Sequence, residues 1–215
     1  NNSSFPYRIQ DYLLTVVSHY KHLGVNLSSD RSWSFHITSI CAAASKSLGY
    51  LRRNLRNSPA NIRKLAYLTF VRPQLEFASS IWSPYHNNMI TAIESIQNRA
   101  ARFISRNYNY HSSVTVIKSN LSLESLGTRR DIALLTLFHK YVYPNRSCPL
   151  HLDVPSRTSK ILHNRLSFTR IYGDTLAFNS SALPRAIRLW NNLPDIIAFL
   201  TNLEAFHRQL ITLYH

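Results

Sequence analysis

The chain has 215 residues, of which 45% are hydrophobic and 16% are charged, so it can build a core and is not globally disordered. Its 25 Lys and Arg residues outnumber ten acids, and the net charge of +15 favours a polyanionic partner, nucleic acid before an acidic membrane surface. No apolar run spans a bilayer, no secretory signal opens the chain, and four glycines are few for an all-β fold. This composition favours a helical, intracellular protein.

The first 29 residues have the pattern of β-strands. Residues 7–9, 13–17 and 20–27 are rich in β-branched and aromatic side chains, and Asp11 offers a turn. We therefore predict a small hairpin or a three-stranded edge.

A helical period begins after this β element. Asp30 or Ser32 can cap a first helix that runs to about residue 55. Its apolar side chains recur on one stripe at helical spacing: Ile37, Ile40, Ala44, Leu48, Leu51 and Leu55. We expect this stripe to face the core.

Further helices follow in order. Ser58-Pro59 begins a second helix, which Pro73 should kink or end, with Ile62, Leu65 and Ala66 facing inward. A third helix starts near residue 87, and its inward face consists of Met89, Ile93, Ile96, Ala100 and Phe103. A fourth covers about 128–143, with Ile132, Leu135, Phe138 and Val142 inward. Residues 144–180 are an irregular connection with room for one short strand, and two short helices at about 182–192 and 202–213 close the chain.

Basic residues form two groups. Between Asp30 and Glu76 the sequence contains no acid, whereas ordinary solvated faces mix both signs of charge. We therefore predict that this zone positions nucleic-acid phosphates, with these candidates: Lys46, Arg52, Arg53, Arg56, Arg63 and Lys64. A second stripe on the third helix comprises Arg99, Arg102 and Arg106. Its spacing fits a second phosphate track and the polar side of an amphipathic helix equally well.

Metal and cofactor sites are not expected in this chain. His19-x-x-His22 has a ligand-like step, as do Cys148-x-x-His151 and His163, but neither set supplies the four ligands of a structural zinc site. The sequence also contains no nucleophile elbow, phosphate loop or dinucleotide fingerprint.

Several short segments resemble one enzyme family, in family order. Residues 20–25 read YKHLGV, similar to YLGV, and Asp30, Trp33, His36 and Ile37 fit D..W..HI. The next matching segments are 48–53 (LGYLRR), 73–78 (PQLEFA), 81–84 (IWSP), 96–103 (IQNRAARF), 129–131 (RRD), 183–187 (LPRAI) and 189–194 (LWNNLP). Over about residues 7–210 the chain thus resembles the C-terminal part of a non-LTR (LINE-type, Jockey-like) retrotransposon reverse transcriptase.

This resemblance implies a mainly α fold: a helical thumb-like bundle with a short N-terminal β-hairpin and a C-terminal helical region. Residues 1–29 would be the end of the palm, 30–110 the thumb and 111–215 the post-thumb region. The primer grip of the family would correspond to Tyr20, Leu23, Gly24 and Val25. The implied partners are an RNA and DNA template–primer duplex and the missing palm and fingers of the same polyprotein, with no membrane partner and with nuclear action of the parent enzyme.

The same resemblance implies that this chain alone does not polymerise. The family's paired aspartates, which hold Mg²⁺ in the full-length parent, would precede the YKHLGV segment, and no two acids are adjacent here. The chain begins with Asn1 and its one methionine is Met89, so we expect a fragment. Two alternatives stay open: a free-standing basic helical nucleic-acid-binding protein, and a protein-interaction module.

Overall fold

The computed structural model describes residues 7–143, 152–155 and 164–214, and they are mainly helical. The strands are β1 (Arg8–Ile9), β2 (Tyr12–Leu13), β3 (His19–His22) and β4 (Val25–Ser28). The first helices are α1 (Ser34–Asn54), α2 (Ala60–Ala66), a π-helical turn (Tyr67–Val71), α3 (Arg72–Glu76), α4 (Asn87–Ser105) and α5 (Val114–Asn120). They are followed by α6 (Leu126–Val142), α7 (Leu176–Asn179), α8 (Ala182–Asn191), α9 (Asp195–Ala198) and α10 (Leu203–Tyr214). The predicted mainly α class with an N-terminal β element is confirmed.

The β element consists of two separate antiparallel hairpins, β1–β2 and β3–β4. The prediction of one strand over residues 20–27 is wrong, because the chain reverses at Leu23 and Gly24, which have φ values of 45° and 87°. His22 pairs with Val25 across this two-residue turn. Positive φ at both central residues matches the twist of a hairpin, and glycine adopts it without strain.

Helix α1 has the predicted apolar stripe but not the predicted cap. Ile37, Ala44, Leu48 and Leu51 are buried. Trp33 precedes the first turn without a side-chain cap, and the Asp30 carboxylate instead accepts hydrogen bonds from the backbone and hydroxyl of Ser32. Asp30 therefore closes a turn before the helix, as short acidic side chains often do.

The second predicted helix is α2, the π-helical turn and α3 in one continuous helical path. Pro73 does not end it: the Arg72 N–H donates to the Tyr67 carbonyl in the wider π turn, and Pro73, which has no N–H to place, lies just after it. The predicted inward face was partly wrong. Ala66 is buried, but Ile62 and Leu65 are 42% and 60% exposed.

The reason is that burial along this path recurs every four residues. The buried positions are Arg63, Tyr67, Val71 and Leu75. This register places an arginine in the interior, which a hydrophobic pattern assigns to the surface.

Two hydrophobic cores form along the chain. The first core gathers the buried side chains from Val25 to Leu126, including those of α1, α3 and α4. The second core runs from Ile132 to Leu210 and joins α6, α8, α9 and α10. Helix α6 belongs to both, since Leu126 lies in the first core and Ile132, Leu135 and Phe138, as predicted, lie in the second.

Polar contacts of α6 tie these cores together. Arg129 donates two hydrogen bonds to the Glu76 carboxylate of α3, and Asp131 accepts from Arg185 of α8. Arg185 also bonds the Ser83 hydroxyl. Between them, the Arg130 guanidinium lies 6.0 Å from the ring centre of Trp82. The RRD segment is thus a junction between the two cores.

The connection after α6 is irregular where it is described, and no strand occurs in residues 152–155 or 164–175. Asn191 holds it in place: its amide donates to the Phe168 carbonyl at 2.8 Å and accepts from the Phe168 N–H at 2.9 Å. The Trp190 indole donates to the Leu166 carbonyl at 2.9 Å. Three residues with ligand-like spacing but no predicted metal role lie outside the described residues: Cys148, His151 and His163.

Candidate nucleic-acid interface

A cleft of about 870 Å³ opens where the C-terminal end of α1, the start of α2 and the C-terminal end of α4 meet. Its lining consists of Gly49, Arg52, Arg53, Arg56, Asn57, Arg63, Phe103, Arg106 and Tyr108. Five arginines therefore share one concave surface, which we call the arginine cleft.

Local sequence explains why the arginines of α1 gather here. Arg52 and Arg53 occupy the last turn of α1, and Arg56 follows it. The carbonyl end of a helix carries partial negative charge, which stabilises cations in the last turn. All three side chains are solvent-exposed, Arg53 nearly opposite the buried face formed by Leu48 and Leu51 and the other two on its flank.

Arg63 differs from these three because it is buried, with 4% of its surface exposed. One terminal nitrogen donates to the Ile104 carbonyl at 2.6 Å, and the guanidinium carbon lies 5.7 Å from the Phe103 ring centre. Its Nε and Nη1 atoms have no hydrogen-bond partner among the described residues. Burial lowers the pKa of Arg63, and the neighbouring Arg106 lowers it further. Arginine titrates so far above neutral pH that this side chain stays charged.

Arg106 reaches the cleft through a change in backbone direction. It ends α4 in the left-handed conformation, with φ of 55°. Its guanidinium donates to the carbonyls of Arg56 and Ser58, so it bridges the end of α4 to the α1–α2 loop. The predicted second stripe therefore splits: Arg106 joins the residues of the first basic zone.

The other two arginines of that stripe have local partners. Arg102 donates to the carbonyls of Asn109 and Ser112, at 2.9 and 3.1 Å, and more weakly to that of Asn107. It thereby holds the loop that carries Tyr108. Arg99 is exposed and donates to the Ser45 hydroxyl at 2.9 Å.

Tyr108 contributes an aromatic ring to this basic surface. The ring is 57% exposed, and the Arg52 guanidinium carbon lies 5.9 Å from its centre, within range of a cation–π contact. Neither Tyr108 nor Asn57 of the cleft lining is among the residues predicted from the sequence. The alternation of basic and aromatic residues in Arg106-Asn107-Tyr108 was the available signal.

No carboxylate balances the cleft within the described part of the chain. Ion pairs of described residues join other side chains, for example Arg72–Glu76, Lys118–Glu94, Arg129–Glu76, Arg165–Asp195 and Arg185–Asp131. Clustered arginines without acids attract a mobile polyanion, since their charge is not already neutralised by the protein.

Two predicted phosphate contacts lie elsewhere. Lys46 lines a separate, more apolar depression with Tyr50, Phe70 and Gln74. Lys64 is half-buried and is not part of the cleft lining. Five of the nine predicted nucleic-acid contacts thus come together: Arg52, Arg53, Arg56, Arg63 and Arg106.

The segment predicted as a primer grip is the β3–β4 hairpin. Tyr20 and Leu23 are 60% and 81% exposed, whereas Val25 is buried in the first core. The hairpin contacts the N-terminal part of α1, where the Asn26 N–H donates to His36 Nδ1 at 3.3 Å. At 1.5 Å per residue, the sixteen steps from His36 to Arg52 place the hairpin about 24 Å along α1 from the arginine cleft.

Within residues 7–143, 152–155 and 164–214, no three His, Cys, Asp or Glu side chains come together as a metal site would require. In the same ranges, every helix is too short or too polar to cross a lipid bilayer.

Comparisons with known proteins add no relative. No protein-family model matches the chain, and searches of curated proteins and of solved structures find no significant match.

Proposed function

We propose that this chain is the thumb and post-thumb part of a LINE-type retrotransposon reverse transcriptase and that it grips the backbone of a template–primer duplex. The observation that carries this proposal is the arginine cleft: five arginines, from α1, from α2 and from just after α1 and α4, share one concave surface with no acid in its lining. The order of the family-like segments supports the parentage.

The chemistry of the cleft suits phosphate better than base edges. Guanidinium groups donate planar pairs of hydrogen bonds that match phosphate oxygens. Contacts of this kind fix the position of a duplex without reading its sequence. We therefore expect binding without sequence preference.

The geometry of α1 also suits an extended ligand. The exposed tip of the β3–β4 hairpin and the arginine cleft lie at opposite ends of this helix, about 24 Å apart. That length corresponds to about seven nucleotide steps of 3.4 Å. A duplex lying along α1 would contact the hairpin near its primer end and the arginines farther along.

This chain would supply grip and no catalysis. The two Mg²⁺ ions of a polymerase need a cluster of carboxylates, and the described residues contain no group of three such ligands. Those aspartates would belong to the palm, which precedes the YKHLGV segment in the resembling family.

The experiment measures affinity for an RNA–DNA duplex as a function of salt concentration. If the protein neutralises about three to six phosphates, the log–log slope is about −3 to −5. Changing Arg52, Arg53 and Arg56 together to Gln should flatten this slope by about two to three. The matched control changes Arg170, Arg188 and Arg208 to Gln, three exposed arginines outside the cleft lining, and removes the same net charge.

The control should leave the slope within about one of the wild-type value. Equal losses in both triple variants would show that total charge, and not the cleft, binds the duplex. An affinity that does not change with salt concentration would favour the alternative of a protein-interaction module.

A further inference from the structure

We infer that the arginine cleft holds one unpaired nucleotide of a single-stranded segment, with its phosphate beside Arg63 and Arg106 and its base against Tyr108. This inference rests on the proposed function and names the part of the nucleic acid that this cleft takes.

Arg63 provides the phosphate site. A buried guanidinium keeps its charge, yet Nε and Nη1 have no partner among the described residues. Buried polar groups are almost always hydrogen-bonded, and an unsatisfied charged donor is costly. The neighbouring positive charge of Arg106 adds to that cost. An anion in the cleft would remove the repulsion and supply acceptors.

Tyr108 provides the base site. Its ring is more than half exposed, although the loop that carries it is fixed by the bonds of Arg102 to Asn109 and Ser112. An exposed ring on a fixed loop is prepared for stacking. Arg52, near the same ring, offers a second planar group. Bases stack on aromatic rings and on guanidinium planes alike.

The combination of these two features favours an unpaired nucleotide adjoining the gripped duplex over a paired nucleotide within it. A duplex presents its phosphates but keeps its bases stacked inside, so Tyr108 would have no base to contact. The open cleft, with a volume of about 870 Å³, has room for one nucleotide. One nucleotide with its base turned out would place its phosphate beside Arg63 and its base against the Tyr108 ring.

The test compares two labelled probes of equal charge: oligothymidylate of six nucleotides and a six-unit abasic deoxyribose-phosphate strand. The wild-type protein should bind the base-bearing strand about tenfold more tightly. Tyr108→Ala should bring the two affinities together, and Tyr108→Phe should keep them apart. The matched control is Tyr110→Ala on the same loop, since Tyr110 is 91% exposed and lies outside the cleft lining.

A second experiment tests the phosphate site at Arg63. Arg63→Met should weaken both probes by the same factor, with circular dichroism confirming that the helices are retained. Equal wild-type affinities for the two probes, or a preference that survives Tyr108→Ala, would overturn the inference.

The two proposals can fail separately. If the probes bind equally while the duplex still depends on Arg52, Arg53 and Arg56, the nucleotide site is wrong and the backbone grip stands. If neither strand nor duplex depends on these arginines, both are wrong.

Discussion

At the scale of single residues, Gly24 shows how one position fixes a hairpin. Its φ of 87° is accessible to glycine without strain, and a side-chain carbon at this position would lie 2.9 Å from a ring carbon of Phe77. Gly24 therefore serves both the β3–β4 turn and the close approach of the hairpin to the residue that follows α3. Gly49, in contrast, lies within α1 and has room for a methyl group, with its nearest neighbour at 3.7 Å.

We predict opposite effects of alanine at these two glycines. Gly24→Ala should lower the free energy of unfolding by about 1–2 kcal/mol, because it adds both backbone strain and a clash. Gly49→Ala should raise it by about 0.5–1 kcal/mol, because alanine is the better helix former. Urea unfolding followed by circular dichroism measures both, and a stabilised Gly24→Ala protein would contradict the described turn.

At the scale of elements, α6 combines apolar packing with ion pairs to α3 and α8. Burial raises the pKa of Asp131, and this effect exceeds the lowering by Arg185. Ionising the Asp131 carboxylate in the folded protein therefore costs free energy, and Arg185 offsets that cost only in part. Arg185 makes this contact from α8 and also reaches Ser83, so its loss would loosen the junction of the two cores.

Removing one partner of the Arg185–Asp131 pair should destabilise the protein more than replacing both partners with apolar residues does. The two side chains are 15% and 22% exposed, so Arg185→Met should destabilise the protein by about 2 kcal/mol, below the 3–5 kcal/mol of a fully buried pair. Asp131→Leu combined with Arg185→Met should cost less than the sum of the two single changes. The measurement is a double-mutant cycle in urea.

The exposed pair Arg165–Asp195 is the matched control, since the Arg165 side chain is 85% exposed. Arg165→Met should change stability by less than about 1 kcal/mol. Additive effects of the two changes at Asp131 and Arg185 would mean that this pair does not couple α6 to α8.

At the scale of the whole molecule, a buried histidine among the described residues lies in each core. His36 packs against Trp82 in the first core, with ring centres 5.1 Å apart. His139 lies against Phe206 in the second, and its Nε2 contacts the Leu200 carbonyl at 2.7 Å. Burial lowers the pKa of both imidazoles below the ordinary value of 6.5. The folded protein therefore favours neutral rings at both sites.

We predict that acid weakens both cores together. Above pH about 6.5 the histidines are neutral in the folded and unfolded states, so their contribution to stability is complete. As the pH falls below that value the unfolded chain takes up protons first, and stability is lost down to the lowered pKa values. The urea midpoint should therefore drop between pH 7.5 and pH 5.5.

A double variant isolates this effect from the general repulsion of a basic chain. His36→Asn keeps an acceptor near Nδ1 for the Asn26 N–H, and His139→Gln keeps a donor near Nε2 for the Leu200 carbonyl. This variant should lose less stability between the two pH values than the wild type. Equal losses would assign the pH dependence to other groups.

Much of the helical architecture was predictable from the sequence because helix formation is local. The stripe from Ile37 to Leu51 and the inward face of α6 follow from one rule, that residues three or four apart share a side of a helix. The excess of basic residues likewise predicted a polyanionic partner before any fold was known. Both signals depend only on residues that are neighbours along the chain.

The arginine cleft, in contrast, was decided by tertiary structure. Arg63 is interior because burial on its helical path recurs every four residues. Arg106 reaches the α1–α2 loop because its backbone adopts the left-handed conformation at the end of α4. Arg102 and Lys46 look equivalent to them in the sequence but lie outside the lining. The charge and helical period of the sequence predict which side of its own helix each residue occupies. Which sides face the same cleft depends on how α1, α2 and α4 pack, and that packing brings together residues about fifty positions apart, such as Arg99 with Ser45 and Arg106 with Arg56.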